Sequence, residues 1–538
     1  MVPKQIFLNG NVITMNSKAP EATAFGVLGN RFWPVGSDDD IRKMADSQTE
    51  VVDLAGRTVV PGLIESHNHM SIYATTMLQA DCSPNTNQSI EDVKGKIREL
   101  ADNMTKPDHW VRGWGYDDTL ISDKRHLTRA DLDEVSKQHP IFVLHVSAHL
   151  AYVNSKALAI ADAGPQTPQP EGGEIHKDGK GVPTGLLLEP GAINLVSRHI
   201  PTYTVSEFKE VLPQAIRHYH QFGITGTHDA AIGYGGEAGE VCRAYRELEA
   251  EDNLDLRVYL TIIEEQYQKL LELGLGTGLG SEVLKLGCVK LFQDGSIQAL
   301  TAALTEGYLN QPDLKGDLIQ SQEALNDLVE KYHRAGLQIA VHANGDRAIE
   351  SVLQAFERAQ HLHPRSDHRH MLIHCQLASD DHIRRMKQLA VIPSYFVNHV
   401  YYWGDRHRSL FLGPERAQRI DPLGSSLKAG LMFSLHSDLP VTPVDPIFSI
   451  HNAVNRITRN GQQLGSAERI SVFEALKAYT INAAYCSFEE DIKGSIEEGK
   501  LADFAVLSEN PLTVASETIK DIRVEATTVG GRLVYGNY

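Results

Sequence analysis

Two histidines separated by one residue, His67-Asn-His69, end the run Val59-Val-Pro-Gly-Leu-Ile-Glu-Ser. Alternate residues of a β-strand share a face, so both imidazoles can project the same way. A pair so spaced can chelate one divalent ion, and imidazole suits zinc, nickel and iron. His-x-His also arises at strand ends with no metal involved; the Pro61-Gly62 turn and the apolar strand before it favour chelation. Two more histidines end apolar runs, Gln338-Ile-Ala-Val-His342 and His370-Met-Leu-Ile-His374. A buried histidine more often satisfies a core hydrogen bond, yet in a chain that already offers His67 and His69 these two read as further metal ligands. Met432-Phe-Ser-Leu-His436-Ser-Asp438 closes on a carboxylate that can bind a metal and accept a proton from water. The competing reading of Asp438 is a turn or cap residue. His436 shares its strand face but lies deeper and is the weaker candidate.

Lys290 sits inside the apolar run Leu286-Gly-Cys-Val-Lys-Leu-Phe. Burying its ammonium costs several kcal/mol unless the group is paired, neutralised or modified. A lysine that snorkels or meets Asp294 is the structural alternative.

These residues need a scaffold that brings distant strand ends together. Apolar runs alternate with amphipathic stretches, the pattern of βα units around a parallel sheet. The eight expected barrel strands are Gly62–His69, Ile224–Asp229, Leu256–Ile263, Leu286–Phe292, Gln338–Ala343, His370–His374, Ala390–Ser394 and Met432–Asp438. Helices are expected over Ser206–Phe222, Gln322–Arg334, Arg347–Gln360 and Asp380–Leu389. The fold class is therefore α/β, an (α/β)8 TIM-type barrel over residues 61–487. Both ends of the chain read as short strands and turns, so residues 1–60 and 488–538 are expected to form one small β-sandwich domain. Roughly residues 75–205 intervene between the first two barrel strands. That is far beyond a usual connection and is expected to be an inserted α/β lid subdomain.

The formal charge of −18 argues against a nucleic-acid surface and fits a small-molecule substrate. Five dispersed cysteines with no Cys-x-x-Cys pair read as reduced thiols. The amino terminus lacks a signal-peptide profile, and no run approaches a membrane span. A cytoplasmic location without membrane partners is the expectation, and a homodimer is compatible with a barrel of this size.

Taken together, His67-Asn-His69 after Val-Pro-Gly-Leu-Ile, Val289-Lys-Leu-Phe-Gln-Asp-Gly-Ser, Val341-His-Ala-Asn-Gly-Asp-Arg-Ala-Ile, Ile373-His-Cys-Gln and His436-Ser-Asp-Leu-Pro-Val resemble the amidohydrolase superfamily in type and order. The likeness is to its third sequence family, which includes N-substituted formamide deformylases. Ala475-Leu-Lys-Ala-Tyr-Thr-Ile-Asn-Ala-Ala and Gly494-Ser-Ile-Glu-Glu-Gly-Lys-Leu-Ala-Asp-Phe extend it through the tail. The resemblance implies a divalent metal, with zinc expected, one or two ions per chain. It implies His67 and His69 on the more buried ion, His342 and His374 on a second, and Asp438 as ligand and proton shuttle. Lys290 matches the lysine that many relatives carry as an N6-carboxylated bridge between two metals. Glu189 is an additional acidic candidate. Two positions depart from the common pattern: Ile373-His374-Cys375-Gln376 where the family often has Glu-His-Ala-Gln, and His436-Ser437-Asp438 where it often has Gly-Ser-Asp. Both bear on access and polarity rather than on the ligands.

The implied reaction is hydrolysis of a carbon–nitrogen bond in an amide or N-formyl or N-acyl amine, with Asp438 taking the water proton and His342 assisting at the carbonyl. Candidate substrate contacts are Trp114 and His149 in the insertion and Asn398, His399 and Trp403 after the seventh strand. Trp114 and Trp403 have packing as an equal alternative. A deaminase of an aminated ring uses nearly the same residues. A binding or regulatory protein on a dead hydrolase barrel is the non-enzymatic rival; retention of all six candidate ligands argues against it.

Overall fold

Eight parallel strands are hydrogen-bonded in chain order into a nearly closed barrel. They are Leu63–Asn68, Ile224–Ile232, Arg257–Ile263, Leu284–Phe292, Ile339–Ala343, Met371–His374, Ile392–Tyr395 and Ser434–Leu435. Their residues are almost all buried, as strands covered on both faces must be. The computed structural model describes residues 2–104, 109–146, 149–170, 172–234 and 238–538.

The first seven strands coincide with the expected apolar runs to within three residues. The eighth, expected over Met432–Asp438, is formed only over Ser434–Leu435. The chain leaves the ladder there because Ser437 N–H donates to the Glu65 carboxylate at 3.0 Å and Asp438 adopts φ 57°. Side chains and backbone then bridge the last strand to the first. Ser66 Oγ donates to the Leu435 carbonyl at 2.8 Å, and His69 N–H to the Leu439 carbonyl at 2.8 Å.

Helices cover the barrel between strands. Gln322–Arg334 is capped by Ser321, and Asp380–Leu389 by a Ser379 capping box and left-handed Ala390. Asp346–Leu362 and Val205–His220 fill two of the other expected positions.

Strands from both chain ends form two further sheets. One holds Gln5–Leu8, Ala24–Leu28, Arg31–Gly36 and Glu50–Asp53. The other holds Asn11–Ile13, Glu21–Ala22, Thr58–Pro61, Phe504–Leu507, Val524–Val529 and Arg532–Gly536. Phe7, Phe25, Phe32 and Phe504 pack between them, with Phe7 stacked on Phe25 at 4.7 Å. A buried bidentate ion pair, Arg257 to Asp503 at 3.0 Å for both nitrogens, fastens the third barrel strand to this β-domain. Gly62 sits at the same junction, where a Cβ would lie 2.0 Å from Thr225 Oγ1, so only glycine lets the chain pass into the first barrel strand.

The chain divides into two compact units, Met1–Ser71 with Leu212–Tyr538, and Ile72–Val211. The second is built on a six-stranded sheet ordered Glu174–Lys177, Pro183–Leu188, Leu150–Val153, Ile141–His145, Val111–Tyr116, Ala80–Asp81. All five cysteines are free thiols. Among the described residues no helix is long and apolar enough to cross a membrane.

Candidate metal centre

The C-terminal ends of the barrel strands bring His67, His69, Lys290, His342, His374 and Asp438 together. His67 and His69 flank the end of the first strand, and their rings meet edge to face at 5.3 Å. Asp438 Oδ1 lies 3.3 Å from His69 Nε2 and 3.5 Å from His67 Nε2. Lys290 Nζ is 3.5 Å from His67 Nε2 and 5.1 Å above the Phe292 ring. His342 and His374 end adjacent strands, with His342 Nδ1 3.1 Å from His374 Nε2. The His67 and His374 rings are 5.5 Å apart, so the two sets adjoin.

Hydrogen bonds around these rings constrain their tautomers. His69 Nδ1–H donates to the Ala230 carbonyl at 2.9 Å, leaving Nε2 as a bare lone pair. His342 Nε2 lies 3.1 Å from the Gly295 carbonyl oxygen and 3.0 Å from the Asn344 amide nitrogen, so it can donate to the one or accept from the other. For His374 the assignment comes through a chain. Ser66 Oγ donates to the Leu435 carbonyl, so Ser394 Oγ must donate to Ser66 Oγ at 3.0 Å. Ser394 Oγ then accepts from His436 Nδ1–H at 2.9 Å, and His436 Nε2 accepts from His374 Nδ1–H at 3.1 Å. His374 Nε2 is left bare, 3.1 Å from His342 Nδ1.

Asp438 Oδ1 faces His69 Nε2 and His67 Nε2 across 3.3 and 3.5 Å, and lone pairs so placed repel unless something positive lies between them. Asp438 Oδ1, buried, has no hydrogen-bond partner. The residues present therefore fit divalent metal: imidazole nitrogens and a carboxylate oxygen, deprotonated, converging from several strands. At the barrel mouth two groups of three, His67, His69 and Asp438, and His374, His436 and Asp438, each bring ligand atoms within 4.8 Å of one another.

Burial dominates the electrostatics. It pushes the Lys290 ammonium down to about 7 despite the attraction of Asp438. It lowers His342 to about 4 and His436 to about 3, and drives His67 and His374 well below the ordinary imidazole range. His69 is the exception: burial opposes its charge, but Asp438 and the Ala230 carbonyl outweigh it and raise its pKa.

Asp294 does not meet Lys290. The strand ends at Phe292, and the Asp294 carboxylate turns to accept from Asn344 N–H at 2.9 Å, Gly345 N–H at 2.8 Å and Ala303 N–H at 3.0 Å. It thereby anchors the loop after His342, where a Cβ on Gly345 would lie 2.0 Å from the Ala303 carbonyl oxygen. Asn398 and His399 are buried and internally bonded. Asn398 accepts from Asn452 at 3.0 Å and donates to Thr442 Oγ1 at 3.2 Å, and His399 Nδ1 is 3.1 Å from His407 Nε2. Half-buried Trp403 lies 4.5 Å from the His399 ring; Phe396 lies 4.7 Å from His399 and stacks on His436 at 5.2 Å. Trp114, His149 and Glu189 belong to the second unit, where His149 Nδ1 meets the Glu189 carboxylate at 2.8 Å.

Sequence reasoning missed Glu65 and Phe396 and underrated His436. Glu65 is wholly buried one strand repeat below His67, its pKa raised to about 8 chiefly by burial, and its carboxylate receives Ser437 N–H. Its place on the His67 face was a signal available from the alternation alone.

The model of the amidohydrolase family matches residues 50–535. A putative amidohydrolase of Bacillus subtilis, YtcJ, is 30% identical over 99% of both chains. An N-substituted formamide deformylase of Arthrobacter pascens is 30% identical over 98% of each. Among solved structures, an uncharacterized metal-dependent hydrolase from Pyrococcus furiosus superimposes with a TM-score of 0.78 at 27% identity, over 95% of this chain and all of that one. The chain belongs to the amidohydrolase family, whose members hydrolyse carbon–nitrogen bonds.

Proposed function

We propose that this protein hydrolyses an amide or N-formyl or N-acyl amine at the barrel mouth, using divalent metal, with zinc as the native ion. The observation that carries the reading is the convergence of imidazole nitrogens of His67, His69, His342 and His374 beside Asp438 Oδ1, which has no hydrogen-bond partner. His67, His69 and Asp438 hold one ion and His342 and His374 a second. Lys290, N6-carboxylated, would supply a further anionic ligand; a neutral amine is the form that adds to carbon dioxide, and burial favours that form. When bound, such ions supply Lewis acidity that brings water near neutrality in pKa and polarises a carbonyl.

Asp438 Oδ1, free of hydrogen bonds, takes the proton of the attacking water and passes it to the departing nitrogen. Burial opposes its charge, but His69 and His436 hold its pKa below the usual carboxylate value, so it is ionised and ready to accept. Phe396 and Trp403 provide an apolar wall suited to a partly apolar amide.

Elemental analysis of protein purified without chelator tests this, alongside His67→Ala and Lys290→Ala and a screen of N-formyl and N-acyl amines. About two metals per chain, falling in both folded variants, with release of formate or carboxylic acid, is the expected result. Ammonia release from aminated rings would replace this reading with a deaminase. A folded parent that binds no divalent metal would overturn it.

A further inference from the structure

The turn that carries Asp438 is gripped from outside its own strand. The eighth barrel strand ends at Leu435, and Asp438 then takes left-handed backbone, φ 57°. A residue with a Cβ keeps such a conformation only where its surroundings hold it. Four backbone groups around this turn are held. Ser437 N–H donates to Glu65 Oε2 at 3.0 Å, and the Ser437 carbonyl accepts from Thr442 Oγ–H at 2.5 Å. The Asp438 carbonyl accepts from Val441 N–H at 2.8 Å, and the Leu439 carbonyl from His69 N–H at 2.8 Å.

Two of these grips come from side chains, and both side chains are buried. Glu65 lies in the first barrel strand, where a carboxyl is costly to bury unless it bonds something. Its Oε2 serves Ser437 N–H, while Oε1 has no partner. The Thr442 grip is the end of a relay whose direction is set, because the Ser437 carbonyl can only accept. Thr442 Oγ1 therefore accepts from Asn398 Nδ2–H at 3.2 Å, and Asn398 Oδ1 accepts from Asn452 Nδ2–H at 3.0 Å. Asn398 is wholly buried with its amide engaged in this relay, so it supports the turn instead of meeting substrate. The Asp438 side chain has no comparable support. Its Oδ1, 3.3 Å from His69 Nε2 and 3.5 Å from His67 Nε2, has no hydrogen-bond partner, so the backbone aims it.

We infer that Glu65 and Thr442 are positioning residues: by holding the N–H and the carbonyl of Ser437 they set where Asp438 presents its carboxylate to the barrel mouth. Asn398 and Asn452 orient the Thr442 hydroxyl. The inference rests on Asp438 as the proton acceptor of the proposed hydrolysis. Loss of either grip leaves a buried backbone group of Ser437 without a partner, and the turn shifts to find another. Misplacing a reacting group by about 1 Å can cost about 10²-fold in rate, so the effect falls on turnover.

Steady-state kinetics on full-length, zinc-saturated protein test this, with the N-formyl or N-acyl amine that the parent turns over fastest. Glu65→Met, which keeps length but cannot accept a hydrogen bond, should lower kcat by about 10²-fold while KM and zinc per chain stay as in the parent. Glu65→Gln keeps an accepting oxygen and should recover most of that turnover. Thr442→Val should lose turnover in the same way, and Thr442→Ser should keep it. Added to Asp438→Asn, neither Glu65→Met nor Thr442→Val should lower kcat further, since the carboxylate they aim is gone. Full kcat in either folded variant, or losses that add to that of Asp438→Asn, would overturn the inference. Should Glu65→Met not fold, the two Thr442 variants decide by the same readings. A parent that hydrolyses no amide would refute the proposed reaction, and crystal structures of Glu65→Met and Thr442→Val then test the positioning by itself. An Asp438 Oδ1 displaced from its place beside His69 Nε2 supports it, and an unmoved carboxylate refutes it.

Discussion

The barrel carries two histidine clusters, one at each end of its sixth strand, and both contain a His-x-His pair. At the mouth are His67, His69, His342, His374 and His436. At the opposite end are His333, His368 and His370. In the second cluster every described ring nitrogen has its complement. His370 Nδ1 accepts from Ile339 N–H at 3.1 Å, so its Nε2–H donates to His333 Nδ1 at 2.8 Å, and His333 Nε2–H to the His363 carbonyl at 2.7 Å. His368 Nδ1 accepts from His370 N–H at 3.0 Å and its Nε2–H donates to the Leu389 carbonyl at 2.8 Å. Donors and acceptors alternate without a gap, and nothing is left to bind an ion. At the mouth, imidazole nitrogens from several strands instead converge at 3.1 to 3.5 Å on one another and on Asp438 Oδ1, which has no hydrogen-bond partner. Histidine density and spacing are alike in the two; the hydrogen-bond census separates a structural cluster from a metal-binding one.

The largest effect that sharpens this contrast is chemical. Asp438→Asn, which keeps size but removes the proton acceptor, should lower kcat by about 10³-fold while the melting temperature changes little. His333→Gln, in the complete cluster, should alter melting temperature but leave metal content and kcat per folded molecule unchanged. Metal analysis and steady-state kinetics on the two variants check this. Loss of metal from folded His333→Gln would break the comparison.

This contrast also marks how far the sequence could be read. Strand ends carrying His67, His342 and His374 were legible because each closes an apolar run, and a barrel collects strand ends at one rim. His368-Arg-His370 has the spacing of His67-Asn-His69 but opens its strand instead of closing it, which is the only local distinction between them. The work of His436 was not legible, since it depends on Ser394 and Ser66 from two other strands. Whether Lys290 meets Asp294 was left open by the sequence, because only the turn after Phe292 shows that carboxylate redirected toward the amides of Asn344, Gly345 and Ala303. The eighth strand was overextended because nothing in Met432–Asp438 announces that Glu65 will draw Ser437 out of the ladder.

A second difference between the clusters is their response to acid. Burial lowers His368 from 6.5 to about 4, with the Leu389 carbonyl opposing only in part. Its folded-state pKa is thus depressed, so between these values the unfolded chain binds more protons than the folded one. The stability it contributes is present above pH 6.5 and is lost as pH falls towards 4, amounting to about 3 kcal/mol at the lower limit. His368→Gln should flatten that part of the stability profile, measured by denaturant unfolding of the metal-loaded protein from pH 7.5 to 4. An unchanged slope would show that the cluster is not held neutral by burial.

The smallest effect lies in the chain that sets the tautomer of His374. His436 links His374 to Ser394 through both of its ring nitrogens. His436 acts as a positioning residue: with its Nε2 accepting from His374 Nδ1–H, His374 must present Nε2 to the mouth. His436→Ala removes that constraint and should weaken metal binding by about 10–100-fold, the usual size of such an outer-contact loss. Ser394→Ala breaks the chain one step further out and should cost less, in the same direction, because His436 keeps its bond to His374. Competition with a chromophoric chelator gives both affinities. Equal effects of the two variants would mean that packing around His436, and not the direction of the hydrogen bonds, orients His374.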